Sequence, residues 1–137
     1  MSRINKLRSG EPLPETEYVT DIIQQFMYNA ALWNAHRIHF DHAYATGVEG
    51  YLGLVIAGPL MGDWLTQSIN DWLGDDGRLV SFEYSNRRAA YVGDVLHANG
   101  TVVAVEADTG MVRLELQISN AAGETVTPGA AIVHFAD

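Results

Sequence analysis

Apolar residues recur along this chain with two periods, and the period changes once. Over 59–73 it is helical: Leu60, Met61, Trp64, Leu65, Ile69, Trp72 and Leu73 form a wide stripe. Pro59 suits a first helical position, having no N–H to waste, and Gly74 is a natural stop. At about 1.5 Å per residue this helix is roughly 22 Å long, enough to lie across a small sheet. Beyond Asp75-Asp76-Gly77 the period becomes two. Val80, Phe82 and Tyr84 alternate with Ser81, Glu83 and Ser85, and Val112, Leu114, Leu116 and Ile118 alternate with Arg113, Glu115, Gln117 and Ser119. Between them, residues 95–107 predict a long strand, bulged or bent at Gly100. Gly93-Asp94, Asp108-Thr109-Gly110 and residues 121–124 predict turns, and 130–135 closes the sheet.

Ahead of the central helix the pattern is weaker. Residues 17–20 suggest a short strand. Thr20 or Asp21 can cap a helix over 22–32, where Ile22, Ile23, Phe26, Met27, Ala30 and Ala31 fall at helical spacing. Residues 34–39 predict a loop, and 40–45 a helical turn ended by Gly47. Residues 1–15, with Gly10, Pro12 and Pro14, predict an arm that is extended or disordered, and 16–137 one domain. An early helix, a buried central helix and then antiparallel strands predict an α+β layer. One long helix wrapped by a curved antiparallel sheet is the hot-dog arrangement.

Composition narrows the function. At 137 residues the chain supports one real core. With no Cys it has no disulfide, thiolate zinc site or cysteine nucleophile, which fits a reducing, cytoplasmic setting. A net charge of −9 with eight basic residues argues against nucleic acid. The most apolar run, 51–61, is too short to span a bilayer, and no signal peptide is expected.

The chemistry concentrates in 33–60. Three of the five histidines, His36, His39 and His42, lie just ahead of Gly58-Pro59, where the central helix starts. Proton carriers joined by a short connection to a helix N-terminus suggest chemistry on a carbonyl. Imidazole titrates near neutrality, and unpaired N–H groups at a helix start stabilise developing negative charge. Histidines three apart on a helix spread over about 120°, a poor converging set for zinc, so no metal is expected. Trp33, Trp64 and Trp72 read as core rather than as a ligand platform. Arg87-Arg88 is the only basic pair after the N-terminal arm. It suits a carrier's phosphates or an ordinary solvated strand end.

Three stretches together resemble the MaoC-like hydratase/dehydratase branch of the hot-dog superfamily. They are Asn34-Ala35-His36-Arg37-Ile38-His39-Phe40-Asp41, then Glu49-Gly50-Tyr51 leading to Gly58-Pro59-Leu60, then Gly93-Asp94. The likeness is to mesaconyl-CoA-hydratase-like and type 2 hydroxyacyl-thioester-dehydratase members, from Glu17 onward. It implies reversible hydration of a 2-enoyl thioester, or dehydration of a 3-hydroxyacyl thioester. Coenzyme A or acyl carrier protein would be the carrier, with no other cofactor. The wider family has D-x-N-P-x-H. Here Asn34 stands in place of Asp, with His36 and Arg37 in place of Asn and Pro. Ala57 stands where relatives often carry His.

The resemblance implies His39 as general base and Gly58 as the oxyanion donor, since Pro59 has no N–H to give. Asn34 orients water or a hydroxyl through its amide, or caps the turn after Trp33; His36 is its rival, and Asp41 could orient an imidazole. His36, Arg37, Tyr44, Pro59, Leu60, Arg87 and Arg88 are the candidate substrate contacts, with Tyr44 and Tyr51 either lining an acyl channel or simply half-buried. A homodimer with the acyl tunnel at its interface is expected, because an edge strand and a helix face stay uncovered. The alternatives are a weakly catalytic subunit that pairs with a second hot-dog chain and a thioesterase. The latter usually wants a carboxylate near the central helix, where only Asp63 is available.

Overall fold

The computed structural model describes residues 2–136; residues 1 and 137 of the expected arm and domain lie outside them. Five antiparallel strands form one sheet in the order β1-β3-β4-β5-β2: β1 (Thr16–Tyr18), β2 (Gly77–Tyr84), β3 (Leu96–Glu106), β4 (Met111–Ser119) and β5 (Thr125–Phe135). The helices are α1 (Ile22–Ala31), α2 (His42–Gly47) and α3 (Gly58–Leu73). This is the expected hot-dog arrangement, an α+β fold with α3 in the hollow of the sheet.

The sheet curls because its ladders slip at three places: Leu79/Ser81, Val102/Ala104 and Ile118/Ser119. Each extra residue bends its strand and adds twist. The β3 irregularity lies at Val102/Ala104, not at Gly100 as the sequence suggests. Gly100 serves close approach instead: a Cβ there would press on the Glu115 carbonyl of β4 at 2.8 Å.

The period-two alternation of β4 decides its faces. Val112, Leu114, Leu116 and Ile118 are buried against Leu65, Ile69 and Leu73 of α3 in one core. Leu65 and Ile69 are fully buried, and each contributes about 1.5–3 kcal/mol of transfer free energy. Gly74 ends α3 with φ +59°. Arg3 caps that end: its guanidinium donates to the Trp72 and Leu73 carbonyls at 2.6 and 3.0 Å and pairs with Asp76 at 2.8 Å. A cation suits the negative end of a helix dipole.

The N-terminal arm is therefore docked, not loose. Ile4, Leu7 and Leu13 join the core, and the Gly10 and Leu13 N–H groups donate to Val102 and Gly100 carbonyls of β3.

The apolar residues that mark α1 as a helix face outward. Ile23 and Met27 are each 65% exposed and Phe26 60%, while the buried residues of α1 are Gln25 and Asn29. Trp33 is also a correction: it is 93% exposed, with φ +55°, not core. Trp64 is buried as expected, and Trp72 is partly buried against the core.

Candidate active site

The site is assembled where three backbone segments meet. Residues 54–57 run between the His39 turn and residues 90–92. The Val55 N–H donates to the Ile38 carbonyl at 3.0 Å, the Ile56 N–H to Ala90 at 2.8 Å, and the Val92 N–H to Leu54 at 2.9 Å. The N–H of Gly93, in the Gly93-Asp94 turn, donates to the Thr20 carbonyl just ahead of α1 at 3.0 Å. A short 3-10 turn, Arg37–His39, follows His36, whose ring accepts from the Ile38 N–H. The turn carries the His39 side chain inward, and His39 is buried.

Gln25 fixes this turn to the start of α3. Its side-chain amide donates to the His39 carbonyl at 3.2 Å and to the Val55 carbonyl, and its Oε1 accepts from the Ala57 N–H at 3.1 Å. One fully buried side chain thus joins the His39 backbone to the N-cap of the central helix. Nothing in the sequence marked Gln25, because a polar residue on an amphipathic helix ordinarily faces water.

The His39 tautomer follows from its partner. Nδ1 lies 2.7 Å from the Val55 carbonyl, which can only accept, so Nδ1 carries the proton and Nε2 keeps its lone pair. Burial pushes the imidazole below its usual range; the Val55 carbonyl pulls the other way, and the His36 ring lowers it further. The His36 and His39 rings lie 5.8 Å apart, edge to face. A neutral imidazole with a free nitrogen is a competent base at neutral pH.

Gly58 is the first residue of α3 and so has no intrahelical acceptor for its N–H. A Cβ at Gly58 would collide with the Asn86 side chain. Asn86 is held in turn by the buried Thr127, whose hydroxyl donates to Asn86 Oδ1 at 3.0 Å. Its amide nitrogen is thereby turned to the helix start, a second donor beside Gly58. Asn86 precedes Arg87-Arg88 in an irregular stretch after β2, where no sequence period marks it.

Asn34 caps the turn: its Oδ1 accepts from the His36 N–H at 3.2 Å, and its own N–H donates to the Asn29 carbonyl at 2.9 Å. Among the described residues Asp41 bonds to no imidazole. It accepts twice from Arg37, at 2.8 and 3.1 Å, and caps α2 through the Tyr44 N–H. The Arg37 guanidinium holds the Asp41 carboxyl below the usual carboxylate range, and it stacks 4.2 Å over the Tyr44 ring. The Tyr44 hydroxyl donates to Glu49. Arg37 and Tyr44 thus belong to a surface cluster built on their own neighbours.

The remaining candidates are spread out. Leu60 lies in the core and Pro59 is exposed at the helix start. Arg88 pairs with Glu124 at 3.1 Å, and Arg87 donates to the Ser85 hydroxyl. Arg87 lines a groove of about 710 Å³ that also holds Glu83 and Glu115, a mixed-charge surface poorly suited to phosphate. Asp63 accepts from the Tyr28 hydroxyl at 2.6 Å.

Comparison with known proteins adds the relatives of this chain. A stretch of 36 residues is 56% identical to mesaconyl-C(4)-CoA hydratase of Chloroflexus aurantiacus, covering 26% of this chain and 13% of that protein. A stretch of 60 residues is 49% identical to the mitochondrial hydroxyacyl-thioester dehydratase type 2 of Schizosaccharomyces pombe, covering 42% of this chain and 20% of that one. The matched part of the chain therefore spans no more than a fifth of either relative's length. The fold is shared with an (R)-hydratase from A. caviae involved in PHA biosynthesis: TM-score 0.86, 19% identity, 95% of this chain and 98% of that one. The sequence profile described as hydroxyacyl-thioester dehydratase type 2 matches residues 4–92, a span that holds His39, Gln25, Gly58 and Asn86 together. By that match over more than half its length, the chain belongs to the hydroxyacyl-thioester dehydratase type 2 family.

Proposed function

We propose that this chain catalyses the reversible hydration of 2-enoyl thioesters to 3-hydroxyacyl thioesters, with coenzyme A or acyl carrier protein as the carrier. The observation that carries this is the buried, singly bonded imidazole of His39 on a turn whose backbone Gln25 ties to the start of α3. In hydration, His39 Nε2 takes a proton from water as its oxygen bonds to the β carbon. The electron pair of the carbon–carbon double bond shifts to join the α and carbonyl carbons, and the carbonyl π pair moves onto the thioester oxygen, where the Gly58 N–H and the α3 dipole meet the charge. The imidazolium then returns a proton to the α carbon, restoring the base. Dehydration is the same path reversed. The test is loss of enoyl absorbance with crotonyl-CoA, and its gain with 3-hydroxybutyryl-CoA. A folded protein that turns over neither, nor longer or branched analogues, would remove the proposal.

The proposal fixes a pH dependence. Because His39 must be neutral to act and its imidazole sits below the ordinary value near 6.5, the acid limb of kcat falls below pH 6.5. A limb above that value would contradict the assignment.

Gly58→Ala tests the oxyanion end. The added methyl meets Asn86, so either the helix start or the amide must move. The expected loss in kcat is about 10–100-fold, with Tm nearly unchanged. Unaltered kinetics would place the charge-stabilising donor elsewhere.

The outward apolar face of α1 supports an assembly, and a homodimer is the form proposed. Sedimentation at the mass of one chain would oppose it. A subunit that needs a second hot-dog chain would be inactive alone and active once paired. Thioesterase activity ranks last, since Asp63 is engaged by Tyr28; release of free thiol from acyl-CoA would reinstate it. No helix among the described residues is long and apolar enough to cross a membrane. The lack of cysteine supports a reducing, cytoplasmic compartment.

A further inference from the structure

One buried side chain has chemistry that the steps above do not use. Asn29 is 3% exposed, and among the described residues neither its Oδ1 nor its Nδ2 has a hydrogen-bond partner. Burying an unpaired amide costs free energy, so native structures keep very few. Asn29 lies one turn after Gln25 on the inward face of α1, and it borders a groove of about 340 Å³. The rest of that groove is apolar, with Phe26, Ala30 and Phe40 among its walls, except for Asn34. Asn34 has its Oδ1 committed to the His36 N–H, which leaves its Nδ2 as a donor on the same groove. Phe40, on one wall of the groove, directly follows His39 in the chain.

We infer that Asn29 is a substrate-binding residue that takes a hydroxyl-type oxygen in this groove. The inference rests on the thioester activity proposed above. A free amide offers a donor group, Nδ2, and an acceptor, Oδ1, side by side. A carbonyl or carboxylate would satisfy only Nδ2, and an ammonium only Oδ1. A hydroxyl or a water satisfies both, accepting from Nδ2 and donating to Oδ1, and the apolar walls suit the attached acyl chain. Two sources supply such an oxygen. One is the oxygen of the reaction itself, the water that adds to the β carbon or the 3-hydroxyl that leaves. The other is a hydroxyl farther along the acyl group.

The experiment compares the unaltered protein with Asn29→Leu on crotonyl-CoA and on 4-hydroxycrotonyl-CoA, with Tm measured beside kinetics. Leu removes an unpaired buried amide and is the better helix former, so Tm should hold or rise by a few degrees. If the oxygen is that of the reaction, kcat on crotonyl-CoA falls at least about 30-fold with KM changed less than about threefold, since a lost transition-state contact lowers kcat alone. If it is the distal hydroxyl, crotonyl-CoA is unaffected and kcat/KM on 4-hydroxycrotonyl-CoA falls about tenfold or more. Asn29→Ser, whose hydroxyl also donates and accepts, should recover part of either loss. Kinetics within about twofold of the unaltered protein on both substrates would overturn the inference, as would a fall in Tm that accounts for the lost activity, which marks a structural residue. Absence of turnover by the unaltered protein would instead sink the hydratase reading and this inference with it.

Discussion

His39→Gln is expected to lower turnover by about 10²–10⁴-fold, the usual contribution of a positioned general acid–base. The substitution isolates the proton carrier from the fold. A Gln amide can still donate to the Val55 carbonyl, which in the native chain accepts from both His39 Nδ1 and the Gln25 amide. Stability should therefore change by no more than about 1 kcal/mol. What disappears is the lone pair on Nε2, and with it the acid limb of the pH profile. The stability profile changes with the same sign. The His39 pKa is lower in the folded chain than in the unfolded one, so its contribution is complete above pH 6.5 and is lost as pH falls through the folded value. In the variant that segment of the acid-side slope should vanish. Retention of more than about a tenth of the activity would mean that another group moves the proton, and His36, 5.8 Å away ring to ring, would be the first to test.

Gln25→Leu is expected to be the most destabilising polar substitution in the site. The native amide satisfies three backbone groups, the His39 carbonyl, the Val55 carbonyl and the Ala57 N–H, all within a fully buried pocket. Val55 keeps its bond from His39, but the other two groups lose the partner that Gln25 gave them. At about 1–3 kcal/mol for each orphaned group, the loss is roughly 3 kcal/mol, or on the order of 10 °C in Tm for a chain of this size. Leu is close in volume, so a cavity does not explain the effect. Gln25→Glu keeps the shape and discriminates further. An ionised carboxylate cannot donate to either carbonyl and must be desolvated, so the Glu variant should be less stable at neutral pH than in mild acid. Activity should fall with stability in both variants, because the imidazole and the helix start are no longer held at a fixed separation. Chemical denaturation showing less than about 1 kcal/mol of change in Gln25→Leu would mean that the segments are held together by packing alone.

Much of the scaffold is legible in local pattern. The period-two stripe of β4, the apolar stripe of α3 and its Pro59 and Gly74 boundaries are each set by residues a few positions apart, and the fold follows them. Asp21 caps α1 as its side chain permits, accepting from the Gln24 N–H at 2.8 Å. His39 and Gly58 stand out in sequence because their chemistry is rare at such a spacing, and the fold brings their segments together.

Tertiary structure alone decided the rest. Periodicity shows that a helix has two unlike faces but not which one the protein turns inward, and in α1 the polar face goes in. Gln25 belongs inside only because the His39 turn and residues 54–57 arrive there with backbone groups that packing alone would leave unpaired. Asn86 reaches the start of α3 only because β5 places Thr127 beneath it. The N-terminal arm is ordered by Arg3 meeting a helix end some seventy residues away. Short-range spacing governs hydrogen bonding within an element, and so it determined the strands, the helices and the candidate base. Which polar groups leave water depends on contacts between residues distant in the chain, and only the folded arrangement supplies those.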